Sequence, residues 1–143
     1  MHNYHINSIS LSANDDFLLS SDDLRVYLWS VQNVKQTFSV IDLKPDNLEE
    51  LSEVITSAQY HPLLDNMFLY STSKGVIKVC DMRKSGVCDN QAITLQEKED
   101  PASKNFFSEI VQSISDATFS ANGRYIFSRD FLTVKVWDVN MAT

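Results

Sequence analysis

Any chemistry in this chain of 143 residues would have to begin with its three histidines, two cysteines, three glycines and numerous serines. His2, His5 and His61 include no pair at the i, i+4 spacing with which a helix offers two imidazoles to zinc, so no metal site is expected. Gly75, Gly86 and Gly123 stand singly near predicted turns, and no glycine-rich loop is present to cradle a phosphate. No cofactor is expected. None of the serines lies in a G-x-S-x-G context, and any Ser-His-Asp trio picked from the sequence alone would be arbitrary, so no catalytic residue is assigned and the chain is not read as an enzyme. Cys80 and Cys88 are too few for a disulfide framework and fit no common zinc spacing; both read as structural thiols.

The carboxylates are more informative. A net charge of -7 argues against a nucleic-acid footprint and for basic partners, although an acidic surface also serves solubility alone. Asp22 and Asp23 are adjacent. Internal alignment pairs Asp22 with Asp130, each seven residues before a tryptophan, where a turn aspartate binds neighbouring backbone amides. Asp23 has Lys74 and Phe131 at its place in the other copies, which leaves it to face a partner. A structural aspartate six residues before Trp is also common in repeats that end in Trp-Asp, a spacing that would exchange the two roles. Glu49, Glu50 and Glu53 form either a solvated helix face or, beside Leu51 and Val54, a seat for a ligand that is both basic and apolar.

These residues are positioned by a repeated unit. Ile114 to Val139 reads as three short strands, with Ala117 and Phe119 inward, a turn at Ala121-Asn122-Gly123, Val134 and Val136 sharing a face, and a terminal Trp137-Asp138. Ile6 to Val31 repeats it: Ile9 to Trp29 and Ala117 to Trp137 both span 20 positions, and Ser12-Ala13-Asn14 stands opposite Ser120-Ala121-Asn122. A middle copy, Ile55 to Met82, carries two extra residues near Pro62 to Asn66 and has Cys80 in place of Trp. With Gln36 to Asp42 and Ala92 to Gln96 as outer strands, the units become four-stranded WD40-type β-propeller blades, approximately 6–43, 55–98 and 114–143, and the fold class is all-β.

Two inserts precede the inner strands of the second and third blades and so share a rim. The first, 44–54, offers Asn47 as an N-cap and Leu48, Leu51 and Val54 at helical spacing; one or two helical turns are expected. The second, 99–113, offers Ser103 as a cap and then Phe106, Phe107, Ile110 and Val111, which predicts a short helix that leaves some apolar surface open. Three blades cannot close a ring, so a piece of a longer protein is the expectation. No run of about 18 apolar residues is available to cross a bilayer, and the start lacks the character of a secretory signal. Cytoplasm, and also nucleus, is the expected compartment, with no membrane association.

The strings YHINSIS (4–10), SDDLRVYLW (21–29), EELSEVITSAQYHP (49–62), SKGVIKVCDMR (73–83), FFSEIVQSISD (106–116) and GRYIFSRDFLTVKVWDVNM (123–141) carry a more specific likeness. With them the chain resembles the B55 (PR55) family of serine/threonine protein phosphatase 2A regulatory subunits, over its whole length and over the central blades of a seven-bladed propeller. The resemblance implies about three of those blades, a non-catalytic role, association of the full-length protein with the phosphatase scaffold and catalytic subunits, and recruitment of phosphoprotein substrates and inhibitors through short helical motifs. The positions it implicates are Tyr4, His5, Asp23, Glu50, Leu51, Val54, Phe106, Phe107 and Ile110, with Leu51, Val54 and the residues of the second insert as apolar seats and Asp23 and the glutamates attracting Lys or Arg. Residues 17–19, 31–34 and 63–66 depart from the usual family pattern. The alternative is a WD40-repeat scaffold that assembles complexes without a phosphatase.

Overall fold

A computed structural model describes residues 2–33, 35–82, 93–96 and 110–141. Strands β1 (Ser8–Leu11), β2 (Phe17–Ser21), β3 (Arg25–Ser30) and β4 (Thr37–Asp42) form one antiparallel sheet in chain order. A second sheet contains β5 (Ile55–Tyr60), β6 (Met67–Thr72), β7 (Val76–Asp81) and β8 (Ile93–Gln96), again in order. In the third, β10 (Tyr125–Arg129) lies between β9 (Asp116–Phe119) and β11 (Val134–Asp138). Each sheet is a propeller blade whose first strand lies innermost.

The repeated Ser-Ala-Asn turn shows why the copies fold alike. The Ser12 hydroxyl donates to Asn14 Oδ1 at 2.9 Å and accepts from the Phe17 amide at 3.0 Å, while Asn14 Oδ1 also accepts from the Asp16 amide. The third blade makes the same bonds: Ser120 to Asn122 at 2.6 Å, the Tyr125 amide to Ser120 at 3.1 Å, and the Arg124 amide to Asn122 at 3.0 Å. The next backbone position is left-handed in both, Asp15 at φ 63° and Gly123 at φ 73°. In the second blade the extra residues remove that motif, and His61 takes over by accepting the Leu63 and Leu64 amides at Nδ1, both at 3.1 Å.

Each blade has one face toward the blade that follows and one toward the blade that precedes. Leu19 and Val26 of the first sheet pack on Ala58, Tyr60, Phe68 and Cys80 of the second. Leu69, Ile77 and Val79 of the second pack in turn on Ala117, Phe119 and Ile126 of the third. The inner strands add polar ties: Ser8 and Ser10 hydroxyls accept the Ala58 and Tyr60 amides at 2.9 and 3.0 Å, and Gln59 accepts the Phe119 amide at 3.0 Å. Burial of a leucine- or valine-sized side chain contributes about 1.5–3 kcal/mol, so two such interfaces dominate the apolar stabilisation.

The alignment of Ile9 and Leu11 with the inward Ala117 and Phe119 predicts burial, and here the structure differs. Ala117 and Phe119 are buried whereas Ile9 and Leu11 are exposed. The register is equivalent in both blades, because Leu11 lies opposite Leu18 as Phe119 lies opposite Ile126. What differs is the neighbour: the third blade's face meets the second blade, and the first blade's face meets no blade among the described residues. The first insert forms a single 3-10 turn, Leu48–Glu50, capped by Asn47, whose side chain accepts the Glu49 amide at 3.1 Å. Of the second insert, residues 110–112 are helical; Ser103, Phe106 and Phe107 lie outside the described residues.

Candidate functional site

The rim that carries both inserts is built on the turns β2–β3, β6–β7 and β10–β11, and the aspartates fix two of them. Asp22 is buried: its Oδ1 accepts the Leu24 and Arg25 amides, both at 2.8 Å, and its Oδ2 is 2.7 Å from His2 Nδ1. Asp130 repeats the motif, with Oδ1 accepting the Leu132 and Thr133 amides at 2.9 and 2.6 Å and Oδ2 engaging the Thr133 hydroxyl and Lys135. Burial pushes both carboxyls up, yet the hydrogen bonds outweigh it. His2 and the amides hold Asp22 below the ordinary carboxylate value, and the Thr133, Leu132 and Lys135 donors bring Asp130 down to about 2. Asp22 is therefore the aspartate that shapes the turn. Asp23 contributes its carbonyl to the Ile55 amide at 2.7 Å and leaves its carboxylate partly exposed on the rim.

The fold also assembles a Ser-His-Asp trio that spacing gave no reason to select. His2 Nε2 lies 2.6 Å from Ser20 Oγ, while Nδ1 meets Asp22. The Ser20 oxygen also accepts the Trp29 indole N–H at 2.8 Å and is buried, so it has no approach for a substrate carbonyl. In the third blade Trp137 donates to Ser128 at 2.9 Å without any histidine. The trio is a strut that orients tryptophan within the blade. Among the described residues, no group of three His, Cys, Asp or Glu side chains could hold a metal ion, and no helix is long and apolar enough to cross a membrane.

Around these turns the candidate residues take definite places. Asn7 sends its amide N–H to the Ser21 carbonyl at 2.9 Å and its side-chain N–H to the Ile55 carbonyl at 2.9 Å, which brings the segment of exposed Tyr4 and His5 beside the end of the first insert. Val54 is half-buried, its amide donating to the Ser73 hydroxyl at 3.0 Å and its carbonyl accepting the Ser73 amide at 2.9 Å. Glu50 and Leu51 are exposed above it. Thus Tyr4, His5, Asp23, Glu50, Leu51 and Val54 gather over the junction of the first and second blades.

Ile110 belongs to the next junction. It is exposed, and the segment from 110 to 114 is held by the Phe131 amide donating to the Val111 carbonyl at 3.4 Å and the Ile114 amide donating to the Thr72 carbonyl at 3.3 Å. That rim also carries Phe131 and Leu132, among the most exposed large apolar residues of the chain. Neither stands out by spacing or residue type, although Phe131 occupies the alignment position of Asp23. Leu24 marks the contrast, since it is buried at the position where Leu132 is open.

The rim therefore places apolar residues over two adjacent blade junctions, with Asp23 and Glu50 at the first, and the strings that line it have close counterparts. The chain is 57% identical over 140 residues to the Dictyostelium discoideum serine/threonine-protein phosphatase 2A regulatory subunit phr2AB, covering 98% of this chain and 29% of that protein. It is 54% identical over 142 residues to the B-beta isoform of the 55 kDa phosphatase 2A regulatory subunit from Carassius auratus, covering 99% of this chain and 32% of the relative. Over nearly its whole length, the chain is similar to named regulatory subunits of protein phosphatase 2A. The Caenorhabditis elegans regulatory subunit sur-6 is likewise 54% identical over 142 residues, covering 99% of this chain and 29% of its own length. All three are named as regulatory rather than catalytic subunits, and the chain spans about a third of the length of these relatives. No protein-family model matches. Among solved structures, the β-propeller domain of Cps50 (Swd1) from Myceliophteria thermophila superposes with a TM-score of 0.71 at 18% identity, over 99% of this chain and 41% of that one. That likeness establishes the propeller fold alone.

Proposed function

We propose that this chain is the substrate-recruiting part of a non-catalytic regulatory subunit of protein phosphatase 2A, acting with the scaffold and catalytic subunits in the cytoplasm and nucleus. The observation that carries the proposal is the 54–57% identity to named phosphatase 2A regulatory subunits over 98–99% of the chain. The rim supplies the means. A short amphipathic helix from a phosphoprotein substrate or an inhibitor lays apolar residues on Leu51, Val54 and Ile110, with Tyr4 and His5 at its flank, while Asp23 and Glu50 draw its Lys or Arg side chains. Phe106 and Phe107, outside the described residues, are assigned to the same seat on the resemblance alone. Affinity purification of the full product of the gene tests the reading: phosphatase scaffold and catalytic subunits are expected in the eluate, and their consistent absence would contradict it.

A further inference from the structure

The Ser-His-Asp strut of the first blade has an incomplete copy in the third. The alignment that pairs Trp29 with Trp137 also pairs Ser20, Asp22 and Tyr27 with Ser128, Asp130 and Lys135, and His2 with Ile110. In the first blade the imidazole lies between Asp22 and Ser20 with its ring centroid 4.7 Å from that of Tyr27. In the third, Ile110 is exposed, and Lys135 takes the imidazole's place at Asp130, its Nζ 3.0 Å from Oδ2. Beside them a cavity of about 20 Å³ lies between the second and third blades, lined by Lys74 and Gln96 of one and by Gln112, Ser128, Lys135 and Trp137 of the other. Gly75 lets the second blade close on its wall, since a Cβ there would lie 3.0 Å from the Gln112 carbonyl oxygen.

The lining holds donors without acceptors. Ser128 is 3% exposed; its oxygen accepts the Trp137 indole N–H, while its hydroxyl proton has no acceptor among the described residues. The side chains of Lys74, Gln96 and Gln112 also have no partner among those residues. Buried donors are as a rule paired, so this cavity calls for an acceptor from outside. Asp130 does not serve, because its oxygens are taken by two amides, Thr133 and Lys135. Two ammonium groups against that single carboxylate leave the lining with positive charge in excess. The volume admits one water-sized atom, which suits one oxygen of a carboxylate and is too small for a tetrahedral phosphate. The rest of the ligand would lie outside, near exposed Ile110 and Phe131, which fits a polypeptide whose acidic side chain neighbours apolar ones.

We propose that this slot is a carboxylate seat: one oxygen of an Asp or Glu side chain from a bound protein accepts from Ser128 and a glutamine, with Lys74 countering its charge. The inference rests on the rim being a binding surface. It gives the second junction a charge preference opposite to that of Asp23 and Glu50 at the first, so a bound segment presents basic residues to one and an acidic residue to the other.

Nuclear magnetic resonance of the indole N–H groups, in the full gene product with isotope-labelled tryptophan, tests the seat. Sodium formate, titrated against sodium chloride at equal ionic strength, is expected to shift the Trp137 resonance saturably and to leave Trp29, whose slot His2 fills, unmoved. Ser128→Ala is expected to weaken formate about tenfold. Lys74→Met leaves the Trp137–Ser128 bond in place and is expected to weaken it about two- to fivefold. No saturable shift at Trp137, an equal shift at Trp29, or unaltered affinity in Lys74→Met would overturn the seat. Tighter binding of inorganic phosphate than of formate would overturn its assignment to a carboxylate. A helical peptide with Leu and Glu one turn apart should displace formate and its Gln counterpart should not; equal behaviour of the two would overturn the side-chain source. Formate binding without co-purifying phosphatase subunits would contradict the proposed function and leave the seat standing.

Discussion

The two rims of the blade stack close their turns with different side chains. On the rim of the β1–β2, β5–β6 and β9–β10 turns, polar side chains close onto the backbone: Ser12 with Asn14, Ser120 with Asn122, and buried His61 with the amides of Leu63 and Leu64. His61 also faces the backbone of Gly123 and packs its ring 4.8 Å from that of Phe119, which latches the second blade to the third. On the opposite rim, the inner layer is closed instead around the carboxylates of Asp22 and Asp130; Leu51, Ile110, Phe131 and Leu132 are exposed above it, as Val31, Leu63 and Leu64 are on the first rim.

Substitutions can break that contrast, and the largest effect belongs to the buried carboxylate. Asp22→Ala leaves two amides and His2 without their acceptor and is expected to cost about 3 kcal/mol, read as a lower midpoint in chemical unfolding. Gly123→Ala follows at about 2–3 kcal/mol, because the position has φ 73° and an added Cβ would overlap the His61 ring. Thermal melts of the two variants should both fall well below the parent. A melt unchanged for Gly123→Ala would mean the latch is not closed in solution.

Acid offers a gentler lever on the same latch. Burial lowers the His61 pKa despite the Gly123 hydrogen bond, so the folded state holds fewer protons on this group than the unfolded state. Its contribution is intact above the unfolded value of about 6.5 and is lost as pH falls below it, at no more than about 1.4 kcal/mol per pH unit. His61→Asn keeps an acceptor for the two amides but cannot titrate, and is expected to flatten the stability profile between about pH 7 and 5. Equal slopes in the two proteins would remove His61 from the titration. The smallest effect on stability is expected on the open rim: Asp23→Asn should alter it by less than about 0.5 kcal/mol. The same exchange should slow association with a basic helical peptide at low salt, and a salt-independent rate difference would argue against electrostatic attraction.

Much of this contrast was legible in the sequence and some of it was not. The 20-residue spacing from Ile9 to Trp29 and from Ala117 to Trp137 announced the blades, and both copies form the same three-stranded register. The pairing of Asp22 with Asp130 was likewise readable, because a turn aspartate acts on amides two and three residues away, within local reach. The exposure of Ile9 and Leu11 was not readable from their alternation, since burial depends on a neighbouring blade. His2 meeting Asp22 and Ser20, and Asn7 reaching Ile55, are contacts across 18 to 48 positions that no local pattern encodes. Phe131 and Leu132 were hidden for a different reason. Their alignment with Asp23 and Leu24 compares a rim carboxylate with an aromatic ring and a buried leucine with an open one.

The central claim is that the rim binds and the blades support. It is tested most directly by measuring, on one variant of the full gene product, both unfolding stability and affinity for a helical substrate peptide. Leu51→Ala combined with Ile110→Ala should leave stability within about 0.5 kcal/mol of the parent and weaken the peptide by about 1–3 kcal/mol. Unchanged affinity in a fully folded variant would contradict the claim.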